Sequence, residues 1–439
     1  MSRHPAISRR RLVGAVVSAP LILAARPRGA DGLPVGPNDR IQVGLIGVGK
    51  MMLDSHLPHL LNMPEVQVVA VCDVDTTRRE AGKKRVDDTY GSDDCAAFVD
   101  HRALLALDGL DAVLVATPDH WHAAIILDAC AAGKDIYCEK PLTNTLAEAR
   151  RVRDAVNAST IVFQTGSQQR SDNEFRLACE LVRNGRIGSV ERITVGVGGP
   201  PKPCSLPGED AEPGLDWDRW LGPAPLRAYN SILAPRGVHD HYPSWRDFSE
   251  YGGGGMTDWG AHHFDIAQWA LDMDGSGPVE ILPPREPQAK TGVRYRYANG
   301  VEVEHGGESG VTFFGTRGRI FVNRGILTSD PREIVAVPIA TDDVHLYRSP
   351  AGGHAGHRQD WVDCMKSRRQ PNCPIEIGAR TVAVCHLGNI AYAHAEELAG
   401  RALAWDPAAW RFTGDDAANA WLDHAAPRRS GYDLPRAGS

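Results

Sequence analysis

Residues 41–73 read IQVGLIGVGKMMLDSHLPHLLNMPEVQVVAVCD, and they constrain the fold more than any other part of the chain. An apolar strand, Ile41–Ile46, runs into glycines. A helix-like segment follows, then a second apolar strand, Val66–Cys72, which ends on Asp73. The pattern predicts a βαβ unit, typically ~30 residues long. Such a unit commits the chain to a parallel sheet, because parallel neighbours need a crossover that covers the sheet face. Gly47 and Gly49 take the first two places of G-x-G-x-x-G, and Met52 stands in the third. Gly47 permits the tight turn. Gly49 lets a pyrophosphate approach the helix N-terminus, where free amides and the helix dipole favour negative charge. The third glycine serves helix–strand packing, so Met52 weakens the packing part of the pattern and spares the phosphate part. Asp73 ends the next strand, 24 residues beyond Gly49. An acid there hydrogen-bonds the adenosine ribose hydroxyls and repels a 2′-phosphate, which favours NAD over NADP.

The alternation continues. DAVLVATPDHWHAAIILDACAAGK reads as a buried strand, a turn at Thr117-Pro118 and a helix. DIYCEKPLTNTLAEARRVRDAV reads as a strand, a corner at Glu139-Lys140-Pro141 and a helix capped by Asn144 or Thr145. TIVFQTGSQQRS is a further strand that ends near Gln168–Arg170. These segments give an α/β class, with a Rossmann dinucleotide-binding domain over residues 40–166. From 167 to 439 the pattern changes. A Pro/Gly-rich segment runs from Gly199 to about Pro243, and short alternating strands joined by ANG and TRG turns follow. This half is expected to be a C-terminal α/β domain with a large, mostly antiparallel sheet, closed by two late helices.

Two features bear on location and partners. The N-terminus, SRRRLVGAVVSAPLILAARPRGADG, places Arg9, Arg10 and Arg11 before an apolar run from Leu12 to Ala25. That run is shorter than the ~20 residues of a membrane span. Residues 1–30 therefore read as a signal peptide whose Ser-Arg-Arg-x-Leu-Val order resembles a twin-arginine signal, which exports proteins already folded. Cleavage after Ala25 and after Ala30 both fit, and the expected location is periplasmic or otherwise exported. The nine cysteines include no C-x-x-C pair and read as buried free thiols, consistent with folding in a reducing compartment before export. A formal charge of −7 with no basic run beyond the N-terminus argues against a nucleic-acid partner. No membrane contact beyond export is expected.

The stretch GGGGMTDWGAHHFDIAQW, residues 252–269, is too rich in titratable groups for a packing helix. Asp258 and His262 stand four apart and share one helix face, which Asp265 and Trp269 continue. Ala261, Phe264 and Leu271 lie on another. On spacing alone Asp258 also reads as an N-cap. His239, Asp240, His241, His262 and His263 do not match the spacing of familiar zinc motifs, so no metal is expected. Trp217, Trp220 and Trp245 with Arg246 read equally as sugar-stacking, interface or core residues.

GLIGVGKM, VCDVD, ATPDHWH, CEKPLT and GGGGMTDWGAHHFDIAQW together resemble the Gfo/Idh/MocA family of NAD(P)-dependent oxidoreductases. The resemblance covers most of the chain after the signal. It implies that Lys140, Asp258 and His262 are catalytic, with Lys140 on the substrate hydroxyl and Pro141 after a cis peptide bond. It also implies that Gly47, Gly49, Lys50, Met51, Asp73, Thr117, Pro118, His122, Glu139, Lys140 and Gln168 bind the cofactor. Asp119 stands where many relatives carry Asn. His263 lies about 100° around the helix from His262 and gains no support from the resemblance. The implied activity is hydride transfer between a secondary hydroxyl of a sugar, cyclitol or glycoside and a tightly bound NAD. The implied assembly is a homo-oligomer, a dimer or tetramer. An alternative is a redox-assisted glycosidase or lyase, or a sugar–sugar oxidoreductase, that cycles a trapped NAD, with residues ~26–40 as an arm over the adenine end.

Overall fold

The computed structural model describes residues 39–423 and 428–434. The signal peptide and nearly all of the proposed arm lie outside the described residues. The first strands fall where the sequence puts them: β1 (Ile41–Ile46) and β2 (Val66–Cys72). With β3 (Ala96–Phe98), β4 (Ala112–Val115), β5 (Asp135–Cys138) and β6 (Phe163–Thr165) they form a parallel sheet in the order β3-β2-β1-β4-β5-β6. Strand order reverses between β1 and β4, and a ligand crevice belongs at that reversal. There Gly47 adopts φ +84°, and a Cβ on it would lie 2.7 Å from the Thr117 amide nitrogen. Only glycine fits. The helix that follows opens with a widened π-helical turn, Met52–His56, a form common at functional sites. Thr145, not Asn144, caps the helix Leu146–Asn157, accepting the Glu148 N–H at 3.1 Å.

The second sheet is antiparallel throughout. Its strands are β7 (Val190–Gly196), β8 (Glu280–Leu282), β9 (Arg294–Arg296), β10 (Glu302–Gly315), β11 (Gly318–Asn323), β12 (Ile326–Asp330), β13 (Leu403–Asp406) and β14 (Arg411–Thr413). They follow the order β12-β11-β10-β9-β8-β13-β14, with β7 on β10. Helix Gly260–Ala270, here the histidine helix, packs on β7 and β10. Helix Ile375–Ala393 lies between it and the Rossmann helix Leu146–Asn157. The two sheets are thus joined through a stack of helices.

Two segments cross the boundary near residue 166. Helix Gly353–Ser367 returns to the Rossmann sheet, where Trp361, Val362, Cys364 and Met365 join Val43, Leu45 and Val68 in one core. The Pro/Gly-rich segment is also more than a linker. Trp220, Leu221, Tyr229, Leu233, Trp245, Phe248 and Tyr251 give it an aromatic core of its own. It straps across the nucleotide end of the Rossmann domain. Gly214 O accepts the Thr76 N–H at 3.0 Å, Arg78 donates to the carbonyls of Pro235 and Gly237, and Arg219 pairs with Asp100 at 2.8 Å. Among the described residues no helix is long and apolar enough to cross a membrane.

Candidate active site

A cavity of about 450 Å³ lies between the Rossmann strand ends and the strap. Gly47, Gly49, Lys50, Met51, Asp73, Thr117 and Pro118 line it, as the sequence reading expects of a cofactor site. A Cβ on Gly49 would meet nothing within 4 Å, so the backbone there is open to a ligand. The Thr117 hydroxyl is buried without a partner. Asp73 accepts the amides of Val48 at 2.6 Å and Asp75 at 2.9 Å, which fixes its carboxylate at the cavity wall. The Tyr242 ring of the strap closes over this loop, 5.8 Å from Lys50 Nζ. A glycine turn, an open amide loop, an unpartnered hydroxyl and an acid at the strand end suit a dinucleotide.

Four residues of the expected cofactor set, His122, Glu139, Lys140 and Gln168, do not line this cavity. Gln168 does not line the cavity; its side-chain amide lies 3.2 Å from His354 Nε2. His122 is held locally, its ring nitrogens facing the carbonyls of Pro141 at 2.8 Å and Thr117 at 3.0 Å, one of which accepts its single N–H. Its role is to tie the Thr117-Pro118 turn to the Lys140–Pro141 corner, where the peptide bond is cis. Glu139 is buried under that corner, and His56 Nε2–H donates to it at 2.9 Å. Arg358 donates to the other His56 nitrogen, which fixes the neutral tautomer. Burial pushes the Glu139 carboxyl up, but the His56 hydrogen bond and the Lys140 charge outweigh it and bring the pKa down to about 2.

The cis corner aims Lys140 at Asp258, 118 residues away in sequence. Lys140 Nζ donates to Asp258 Oδ1 at 2.7 Å and to Asp258 O at 3.0 Å. Arg246, which lines the cavity, reaches within 3.7 Å of the same carboxylate and so connects the two parts of the site. Burial pushes the Asp258 carboxyl up, yet the charges of Lys140 and Arg246 hold it below the usual carboxylate range. Asp119, at the start of its helix, is buried beside the same groups, and burial raises it well above that range.

The expected single helix divides at Trp259 into Gly254–Asp258 and Gly260–Ala270, and the turn tightens where Trp259 O accepts the His262 N–H at 3.0 Å. The glycines before it serve the chain's own packing. Gly254 adopts φ +70° against the Pro201 amide nitrogen, and a Cβ on Gly255 would lie 2.5 Å from Gly198 Cα. His262 is 2% exposed and its Nδ1 has no partner. Burial, reinforced by the charges of Lys140 and Arg324, keeps its pKa well below the ordinary imidazole value. Both nitrogens of His263 are buried without partners. Asp265 and Trp269 do not continue the cleft face. Asp265 accepts Arg170 at 2.7 and 2.8 Å and the Thr381 hydroxyl at 2.8 Å, and Trp269 lies 5.0 Å under the same guanidinium. Trp220 and Trp245 belong to the strap core and also line the cavity, while Trp217 stacks on Trp220 at 4.7 Å.

Arg324, over the Trp259 ring at 4.7 Å, and His354, 3.2 Å from the Gln168 amide, also bear on His262, and sequence reasoning did not find them. His354 lies in GGHAGH, a glycine-led helix start like that of the histidine helix. That repeated motif was the available signal; Arg324, at a hairpin tip, gave none. Among the described residues no cluster of His, Cys, Asp and Glu is arranged to hold a metal.

A Rossmann sheet with a glycine loop, joined to an α/β domain that brings Lys140 and Asp258 together, is the build of a two-domain oxidoreductase. The chain belongs to the Gfo/Idh/MocA oxidoreductase family. The signature of the family's NAD-binding Rossmann fold matches residues 41–167, and that of its C-terminal alpha/beta domain matches residues 204–434. The chain is 34% identical over 156 residues to inositol 2-dehydrogenase of Rubrobacter xylanophilus, across 35% of this chain and 43% of that protein. It therefore spans less than half the length of that curated relative. It is 36% identical over 121 residues to glycosyl hydrolase family 109 protein 2 of a Shewanella species, across 27% of this chain and 26% of that one. The WlbA dehydrogenase of Bordetella pertussis, solved in complex with NADH and UDP-GlcNAcA, shares the fold with a TM-score of 0.56 at 17% identity, covering 81% of this chain and 97% of that one.

Proposed function

We propose that this protein oxidises a secondary hydroxyl of a sugar, cyclitol or glycoside. The observation that carries the reading is the 2.7 Å Lys140–Asp258 pair, reached from the cavity through Arg246, with neutral His262 on the next helical turn. NAD, held by the Gly47–Met51 loop, Asp73 and Thr117, supplies the hydride acceptor. His262 is kept neutral by burial and takes the hydroxyl proton. Lys140 donates to the hydroxyl oxygen and stabilises the charge that develops there. Asp258 holds Lys140 in place, and the Glu139–His56–Arg358 chain holds the corner from which Lys140 projects. Asp73, already bound by two amides, disfavours the extra phosphate of NADP.

A second reading is redox-assisted glycoside cleavage on a retained NAD. The strap over the cavity favours it, as does the likeness to a glycosyl hydrolase family 109 protein. Arg9-Arg10 and the short apolar run favour export in the folded state, away from the cytoplasmic NAD pool. Assembly into a dimer or tetramer through the antiparallel sheet belongs to the same proposal. A screen of glycosides and cyclitols that follows both reduced-nicotinamide absorbance and aglycone release tests the two readings. Absorbance without release supports oxidation, release without net reduction supports the second reading, and neither signal from any compound overturns both.

A further inference from the structure

Beside Trp259, whose ring lies 6.1 Å from that of His262, stands one exposed guanidinium with no assigned work. Arg324 occupies the two-residue turn between β11 and β12, where Asn323 pairs with Ile326 and Gly325 takes φ +69°. Its amide donates to Asn323 Oδ1 at 2.8 Å, so the hairpin tip is locally fixed. Its guanidinium lies 4.7 Å over the ring of Trp259, the residue that links Asp258 to the histidine helix. Asp172, Asp258 and Glu139 are acids that sense its charge, and none of the three forms an ion pair with it.

The neighbouring cations are already engaged. Lys140 is paired with Asp258 at 2.7 Å. Arg246 stacks on Trp245 at 4.2 Å, donates to Pro243 O at 3.1 Å and lines the dinucleotide cavity. Arg358 donates to Ser55 and His56. Arg324 does not line that cavity, so the pyrophosphate is not its partner. Lys140 and Arg246 share the Asp258 carboxylate, at 2.7 and 3.7 Å, and among the described residues Arg324 has no carboxylate within ion-pair distance. A neutral sugar leaves the Arg324 guanidinium without a carboxylate, whereas a ligand anion pairs with it. An arginine held flat on an aromatic ring at a rigid tip is pre-organised for a planar, two-oxygen acceptor.

We propose that Arg324, seated on Trp259, binds a carboxylate of the substrate, so that the substrate is a sugar acid: a uronate or its glycoside. The proposal deepens the oxidoreductase reading and rests on it for the site's identity. A sugar phosphate shares the anionic chemistry and serves as the competing arm.

The experiment uses the full chain loaded with NAD. Methyl uronides of the gluco, galacto and manno series are compared with the matched neutral methyl glycosides and their 6-phosphates. Binding is read by tryptophan fluorescence and hydride transfer by reduced-nicotinamide absorbance. At least one uronide should bind ~10–100-fold more tightly than its neutral counterpart, the scale of a charge-assisted hydrogen-bonded pair. Arg324→Gln should bring the two affinities within about threefold, Arg324→Lys should keep part of the gap, and nucleotide content should be unchanged in both. Equal binding of acid and neutral sugar by the parent, a gap that survives in Arg324→Gln, or a preference for the 6-phosphate would each overturn the proposal. An Arg324-dependent uronide preference without hydride transfer would uphold the recognition and defeat the oxidation reading, so the two failures are separable.

Discussion

The two walls of the cleft solve different problems. On the nucleotide wall the charged groups are tied down before any ligand arrives, with the Thr117 hydroxyl left unpartnered: Asp73 is held by two amides, Lys50 by Asp54 at 2.6 Å, and Arg78 by the carbonyls of the strap. On the substrate wall Lys140 and Asp258 are paired, but the imidazole and amide groups around them are not. His262 Nδ1, both nitrogens of His263, Gln168 Oε1 and His354 Nδ1 are buried without partners. An unpaired buried polar atom costs about 1–3 kcal/mol, so such a wall persists only when something stiff stands behind it. That support is the Arg170–Asp265 pair, 1% and 0% exposed in its side chains, with Asp274 and Thr381 attached. One wall is built for a ligand of fixed shape; the other keeps donors and acceptors in reserve for chemistry.

The contrast can be broken most sharply at Lys140 and His262. Lys140→Met and His262→Ala should each lower kcat by ~10²–10⁴ while NAD affinity, measured by calorimetry, stays within a few-fold. Activity near the parent in both variants would place the chemistry elsewhere. The support behind the wall comes next. Arg170→Met leaves Asp265 buried and unpaired, and urea unfolding should show a loss of about 3–5 kcal/mol. Pairing that change with Asp265→Leu should recover most of it; no recovery would mean that the pair is not the anchor. The nucleotide wall should respond more gently. Asp73→Ser should narrow the NAD-over-NADP preference by about tenfold, read from titrations of the two cofactors, by removing the acid that meets the 2′-phosphate. The smallest effect concerns pH. His262 accepts a proton only when neutral, and burial sets its pKa well below 6.5, so activity should stay level as pH falls through 6.5 and decline only at lower pH. A pH profile of kcat/KM that has lost about half its value at 6.5 would indicate a base with an ordinary imidazole pKa.

Much of the nucleotide wall was legible in the sequence, because its parts are local. Gly47, Gly49 and Asp73 sit within one βαβ unit whose strand limits follow from apolar runs and glycines. The substrate wall was legible only where a motif named it. Spacing along a helix brought Asp258 and His262 to one face, but the same rule carried Asp265 and Trp269 with them, and both turn to the buried Arg170. Periodicity assigns a face and says nothing about which neighbour that face meets. Arg324 arrives on a hairpin tip and His354 on a helix that returns to the Rossmann core, placements set by tertiary packing between distant segments. The core of the strap escaped the sequence for a similar reason. Its aromatic residues follow neither helical nor strand periodicity, and they form a core only when folded against one another.

The most direct test of the account is a single-turnover transfer. Protein loaded with NAD is mixed with the best substrate of the screen, deuterated at the carbon bearing the reacting hydroxyl, and the nucleotide is then released by denaturation and examined by mass spectrometry. The account predicts deuterium on the nicotinamide of the parent protein, up to one label per chain, and none within the same time in His262→Ala despite equal nucleotide content. A nucleotide that stays unlabelled at every quench time, including those that precede any return of the hydride, while the substrate is consumed would contradict this, because the reaction would then proceed without hydride passing between the two walls.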